Sequence, residues 1–464
     1  MAEDDTGIGG SSGMGFSLRV LKAVLLAVVA ALSVVVALPM AVLFWIMWPW
    51  TLVFQRFSQP AQAGEEPPQV DNAASQISIE NLLGLHAPRQ IDAVFEGGGV
   101  KAIAQVGAVR AAEDLKLKWS LLGGTSGGAI VASLLAAGKN SRDIWQILTR
   151  TGLHSLVAVW YLPRLPWLQK RLYFVLPLLP HLLFTKGLVS GAEFLRIMNT
   201  HLQKNDQQLL FRDIPNHDRK QEPEAPRYRL KMVATDISRG TPIILPDDLP
   251  YYWEPWDHAR RSLNLPVSAA SRLSPEDAQD CWPVAESVRM SMSIPFFFNP
   301  YALHLNVDDD GKSLIKDRMG KKGKKVLIVD GGISSNFPIW LFDTMDRRPT
   351  WPTFGFLLDE TKGTKGHSIS SIGNLIDMAL SVVTTGMGAM DKRLSEHDQY
   401  RTTRLRTLRV NTTSFGLSLA KQSELFESGF QDAVEFFKRF DWGEYLSRFR
   451  RERSTVAQDS DDQY

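Results

Sequence analysis

A single cysteine, Cys281, stands in 464 residues, so no disulfide can form within the chain and a cysteine-rich zinc site is excluded. Its neighbours, Trp282 and Pro283, give it the setting of a small core residue. A surplus of one charge is missing too. With 52 basic residues against 50 acidic and a net charge of +2, no global field attracts nucleic acid, and electrostatic attraction must be local. No internal repeat is evident, and no nucleotide-binding loop: from Gly97 the pattern G-x-G-x-x-G fails because Ala102 holds its last position, and no G-K-[ST] follows.

Charge is also absent locally. Residues 23–55 carry no Asp, Glu, Lys or Arg, and a membrane span needs about 20 predominantly apolar residues. Arg19 and Lys22 precede the run and Arg56 follows it, while Trp45, Trp48 and Trp50 gather toward its second end, where indoles favour the interface. Residues 19–56 therefore predict a hydrophobic membrane anchor. Pro39 and Pro49 leave both a single span and a re-entrant hairpin open. A signal peptide fits less well, because its apolar core runs to only about 7–15 residues. Before the anchor, residues 1–18 read as a flexible tail rich in Asp, Gly and Ser; after it, 57–90 read as a linker containing Pro60, Gly64, Pro67 and Pro68.

What is present in abundance is apolar material, 44% of the chain, enough for one large domain placed at 91–440, with 441–464 as a C-terminal tail. Residues 91–96 read as a strand, 97–99 as a glycine turn and 101–114 as a helix; 120–123 and 129–137 repeat strand and helix, the latter closed by Gly138. That alternation predicts an α/β fold around a mostly parallel sheet. Strand character returns at 228–235, 242–245, 325–329 and 353–358, and helical character at 371–394 and 422–438. An apolar insertion at about 153–188 is broken by Pro163, Pro166, Pro177 and Pro180 and mixes aromatic residues with Arg164, Lys170 and Arg171, a composition suited to a headgroup boundary or to ordinary burial. The lysines at 321, 322, 324 and 325 read as a solvated hairpin or loop.

Three short motifs carry chemistry. Gly124-Thr125-Ser126-Gly127-Gly128 matches the G-x-S-x-G nucleophile elbow, in which glycines relieve crowding at a strained strand-to-helix turn and the following helix aims its positive end at the reacting centre. Gly97-Gly98-Gly99 closes the preceding strand at a helix start, where amide N–H groups can face an anion as an oxyanion hole does. Lys101 beside it can meet a phosphate headgroup or simply cap a surface turn. Finally, Val326-Leu327-Ile328-Val329 delivers Asp330 to Gly331-Gly332, at the sheet edge where ligands of open α/β folds collect. An aspartate there serves as a turn former or as a general base.

Taken in order, these motifs resemble the patatin-like phospholipase family, whose pattern is G-G-G-x-[KR]-G, then G-x-S-x-G, then D-G-[GA]. The segments Val233-Ala234-Thr235-Asp236 and Val288-Arg289-Met290-Ser291-Met292-Ser293-Ile294-Pro295 are similar to that family as well. The resemblance implies a three-layer patatin-like fold and a lipid acyl hydrolase with a Ser126–Asp330 dyad. Ser126 is the nucleophile and Asp330 the base; Gly97, Gly98 and Gly99 form the oxyanion hole, with Gly98 and Gly99 its principal donors. Gly124, Gly128, Gly331, Gly332 and Lys101 support the motifs. It requires no metal or cofactor, and its partner is membrane lipid. Ala102 departs from the pattern by one methyl where the helix begins. Two rival readings stay open: a Ser-His-Asp esterase using His367 or His397, and a membrane-bound scaffold without catalysis.

Overall fold

The computed structural model describes residues 66–70, 77, 82, 89–150, 187–220, 225–343, 351–359, 396–410, 412 and 417–448. The expected anchor at 19–56, nearly all of the insertion and the expected helix at 371–394 lie outside the described residues. Among the described residues, no helix is long and apolar enough to cross a membrane.

An eight-stranded sheet runs in the order β12 (Thr402–Arg406), β11 (Thr353–Asp359), β1 (Gln90–Phe95), β2 (Lys118–Thr125), β6 (Leu230–Asp236), β10 (Lys321–Asp330) and β9 (Tyr301–Val307), with β7 (Thr241–Leu245) paired to β6 off that path. Its centre is parallel. Strand β1 (Gln90–Phe95) lies between β2 (Lys118–Thr125) and β11 (Thr353–Asp359), with β12 (Thr402–Arg406) beyond β11 and β6 (Leu230–Asp236) beyond β2. Near-continuous apolar strands such as QIDAVF suit a sheet buried on both faces. Successive residues of β1 accordingly divide between two cores. Ile91, Ala93 and Phe95 join the main cluster, while Val94 turns to the other face against Phe337, Ile339, Leu341 and Phe342.

Helices α1 (Ala102–Asp114), α2 (Gly127–Ala136) and α3 (Ser141–Arg150) follow β1 and β2. Chain-crossing contacts then tie in α4 (Ala192–His201), α5 (Trp253–Ser262), α6 (Val284–Ser291) and the long α7 (Leu419–Arg439). Helices α1 and α7 cross at glycines: a methyl at Gly107 would collide with the Phe426 carbonyl, and one at Gly429 with that of Ala104. The main core extends past both expected boundaries. Leu82, inside the expected linker, and Tyr445 and Leu446, inside the expected tail, are buried in it, because these apolar side chains finish the packing that the sheet and α7 begin.

The other side of the sheet reverses direction. Strand β7 (Thr241–Leu245) is antiparallel to β6, and β10 (Lys321–Asp330) is antiparallel to both β6 and β9 (Tyr301–Val307). Only Ile328, Val329 and Asp330 pair with β6, so β9 and the rest of β10 form a ribbon running beyond the carboxyl end of that strand. Lys321, Lys322, Lys324 and Lys325 are exposed on this ribbon, as a solvated hairpin requires. Two short parallel strands, β3 (Gly187–Val189) and β8 (Phe296–Phe298), form a separate small sheet beside α6. The short strands β4 (Gln203–Lys204) and β5 (Gln207–Gln208) pair as an antiparallel hairpin.

Candidate active site

Strand β2 ends at Thr125 and α2 starts at Gly127, which leaves Ser126 as the whole turn. Its φ of 52° and ψ of −122° are costly for any residue with a Cβ and persist only where the surroundings enforce them. The enforcement is visible. The Ser126 carbonyl accepts from Ala129 and Ile130 N–H at 3.0 and 3.3 Å, and its own N–H donates to Ser291 Oγ at 2.9 Å. Ser291 Oγ in turn donates to the Val233 carbonyl at 2.6 Å. Glycine is needed beneath the turn, since a methyl at Gly128 would collide with the Phe95 carbonyl.

Strand β10 brings Asp330 to the same level. Thr125 pairs with Val233 and Asp330 with Ala234, adjacent positions on β6, the strand between them. The sheet-edge expectation thus needs a correction: Asp330 does not end a parallel strand at the carboxyl edge, because β10 is antiparallel and enters from beyond that edge. It reaches the elbow because its pairing with β6 stops after three residues. A methyl at Gly331 would collide with the Val233 carbonyl, so the chain can turn away only through glycine.

Ser126 Oγ donates to Asp330 Oδ2 at 2.6 Å, and the other carboxylate oxygen accepts from Gly332 N–H at 2.9 Å. Asp330 N–H is held by the Ser293 carbonyl at 2.9 Å, and its own carbonyl accepts from Thr235 Oγ1 at 3.0 Å. Both side chains are buried, Ser126 at 2% exposure and Asp330 at 0%. Burial pushes the Asp330 carboxyl up to about 7, against the opposing pull of the Ser126 and Gly332 hydrogen bonds. A hydroxyl pointed at a carboxylate poised near neutrality has the arrangement of a nucleophile with its base.

The glycine loop lies alongside. Gly99 has φ of 55°, and a methyl on it would collide with the Thr412 carbonyl. The three amides differ. Gly97 N–H donates to the Asn336 carbonyl at 2.9 Å, so it is already spent and cannot serve as an oxyanion donor; Gly97 contributes shape. Among the described residues, the amides of Gly98 and Gly99 have no acceptor. Asn336 fastens the loop from its other side as well, donating from Nδ2 to the Gly97 carbonyl at 3.0 Å and to Glu96 Oε1 at 2.9 Å. Lys101 is buried, at 3% exposure, which overturns its reading as the cap of a surface turn: the chain passes from the loop through a short 3-10 turn, Gly99–Lys101, into α1, and the core closes over it. The methyl of Ala102 is accommodated at the buried start of α1.

Several residues of the site carried no role in the sequence. Ser291, Met292 and Ser293 together touch both members of the pair, Met292 through its Sδ at 3.2 Å from Ser126 Oγ. Arg289 secures this segment, donating from Nη1 to Ser293 Oγ and from Nη2 to the carbonyls of Ser190 at 3.2 Å and Asn299 at 2.7 Å. Their only signal is a family-like string, and the two contacts to Ser126 span 165 and 166 positions of sequence. Asp236 shapes the turn after β6, accepting from Ser238 and Arg239 N–H at 2.9 and 3.1 Å. His367 and the side chain of His397 lie outside the described residues. Cys281 is buried beside Trp256, Ala259, Leu273 and Ala278. Among the described residues, no group of three or more His, Cys, Asp or Glu is arranged to hold a metal ion.

The profile of the patatin-like phospholipase family matches residues 93–343. An uncharacterised protein of Bacillus subtilis (strain 168), YqhO, is 29% identical over 355 residues, which cover 75% of this chain and 99% of that one. Among solved structures, VipD from Legionella pneumophila aligns with a TM-score of 0.37 and 15% identity, over 76% of this chain and 67% of its own. ExoU of Pseudomonas aeruginosa, in its heterodimeric complex with SpcU, aligns with a TM-score of 0.35 and 14% identity, over 78% of this chain and 52% of its own, so the chain spans about half of that relative.

Proposed function

Since the chain belongs to the patatin-like phospholipase family, we propose that it hydrolyses carboxylic esters of phospholipids or related glycerolipids with Ser126 and Asp330. The observation that carries this reading is the direct 2.6 Å contact between Ser126 Oγ and Asp330 Oδ2 at a strained elbow. Ser126 Oγ attacks the ester carbonyl carbon and its proton passes to Asp330 Oδ2. The carbonyl oxygen takes the negative charge and faces the amides of Gly98 and Gly99, each donor of this kind contributing roughly 2.7–4 kcal/mol to the transition state. When the carbon–oxygen bond to the alcohol breaks, the departing oxygen takes the proton from Asp330, leaving an acyl-serine. Water then repeats the sequence and releases the fatty acid.

Direct contact between hydroxyl and carboxylate leaves no place for an imidazole between them, which favours the two-residue mechanism over a Ser-His-Asp triad. In this reading residues 19–56 attach the domain to a membrane, where its substrate lies. Removing residues 1–55 is expected to release a soluble domain that still cleaves dispersed esters; a truncated chain that still pellets with lipid would locate the membrane contact elsewhere.

A fluorophosphonate probe tests the chemistry. The wild-type chain in detergent should become labelled and the Ser126→Ala variant should not, with the same variant inactive on phospholipid and triacylglycerol mixtures. A wild-type protein that resists the probe in detergent and in vesicles would leave the scaffold reading in its place.

A further inference from the structure

Among the described residues, the Ser126 hydroxyl has two side-chain acceptors within reach: the Asp330 carboxylate at 2.6 Å and the Met292 thioether at 3.2 Å. One hydroxyl proton cannot serve both, and the carboxylate is much the stronger acceptor, so the sulfur is there as bulk. Its position matters because an acyl carbon about to be attacked sits about 3–3.5 Å from the nucleophile, the same shell that the sulfur holds. Met292 has 0% exposure and Ser126 only 2%, so the thioether is packed in place and occupies part of the space around the hydroxyl that an ester carbon must enter. Next to Gly97 the crowding is relieved by glycine, since a methyl there would stand 3.1 Å from Ser126 Cβ.

We propose that Met292 determines which acyl groups Ser126 accepts. This rests on the hydrolase reading above. Methionine is unbranched, with three rotatable bonds and a polarizable sulfur, so it can fold back along an entering linear chain. A branch on the carbon next to the carbonyl has to fit in the volume the thioether retains, and is turned away. Met292 is thereby a specificity-determining residue, separate from the proton transfer that Asp330 performs.

The test compares p-nitrophenyl butyrate with p-nitrophenyl isobutyrate, two soluble esters that differ only in branching, on the full chain in detergent. Met292→Ala should raise the isobutyrate-to-butyrate ratio of kcat/KM by about tenfold, in the range that one methylene commands in an apolar pocket. Met292→Leu, which keeps the bulk and loses the sulfur, should hold the wild-type ratio. If the alanine variant fails to fold, Met292→Val carries the same expectation with a smaller shift. A ratio within about twofold of wild type in the folded alanine or valine variant overturns the assignment, as does a leucine variant that shifts as far as alanine. Those results would leave wild-type turnover intact and so spare the hydrolase reading; a wild type that cleaves neither ester and resists the fluorophosphonate removes that reading and this assignment with it.

Discussion

Two aspartates buried near opposite ends of the sheet, Asp92 and Asp330, are both pushed up to about 7 by burial. The resemblance stops at their partners. Asp92, near the amino end of β1, accepts from Leu121 N–H at 2.9 Å, Trp351 Nε1 at 2.8 Å and Thr353 Oγ1 at 3.5 Å. These groups tie β2 and the start of β11 to β1; neither an amide nor an indole gives up its proton at ordinary pH, and the Thr353 hydroxyl stands off at 3.5 Å. Asp330 instead shares its outer oxygen with the hydroxyl of a strained serine. A raised carboxyl therefore marks burial in both places, and it is the chemistry of the donor opposite that separates a cross-brace from a base.

The strongest way to break this contrast is to neutralise each carboxylate. Asp330→Asn should lower kcat on a soluble ester by roughly 10²–10⁴-fold, the worth of a general base, while the melting temperature stays close to wild type because asparagine can still accept from Gly332 N–H. An amide that turned over at the wild-type rate would return Asp330 to the same class as Asp92.

Next in size is the response to pH. Asp330 accepts a proton only when ionised, so kcat/KM should rise about tenfold per unit up to about 7 and level off above it. A pH profile with its acid limb near the ordinary carboxylate value of about 4 would contradict the burial argument. The wild type and Asp92→Ala should share the same limb, since Asp92 makes no contact with the elbow.

Asn336→Ala sharpens the comparison from the side of the glycine loop. It frees the Gly97 carbonyl and Glu96 from their amide partner, and the loosened loop should cost on the order of tenfold in kcat with KM little changed. A loss confined to KM, with kcat unchanged, would show that the loop holds substrate and not the transition state.

The smallest catalytic effect belongs to Asp92→Ala. It strands the Leu121 amide and the Trp351 indole, at a cost of about 1–3 kcal/mol in stability, and should leave turnover per folded molecule within about twofold. The pH dependence of stability has a definite sign. A carboxyl raised on folding holds its proton in the native state between about 4 and 7, where the unfolded chain has released it, so its contribution is complete below about 4 and lost as pH rises through about 7. Thermal melting between pH 5 and pH 8 should therefore show a shallower slope in Asp92→Ala than in wild type.

Much of the site was legible because its parts are local. The elbow at 124–128, the triple glycine and the apolar run into Asp330 each announce themselves within a few residues, and the strand, turn and helix order around them implies a parallel sheet. Direction is not legible: an apolar strand reads the same either way, so from sequence β10 reads as one more strand ending at the carboxyl edge. Short polar strands such as β12, TTRLR, lack the pattern that would expose them. Gly97's amide could not be struck off as a donor from sequence, because its acceptor lies in Asn336, on a different segment. Burial of Lys101 is hidden for a related reason, since lysine beside glycines ordinarily means surface.

The crowding beneath the elbow also sets the terms on which this protein can be re-engineered. A methyl at Gly124 would lie 2.5 Å from the Gly128 carbonyl oxygen, one at Gly127 2.8 Å from the Gly99 amide, and one at Gly128 inside the Phe95 carbonyl. A library that randomises these positions would spend its diversity on misfolded chains. Directed evolution has to leave the glycine scaffold untouched, together with Ser291 and Ser293 that hold Ser126 and Asp330, and begin at Met292.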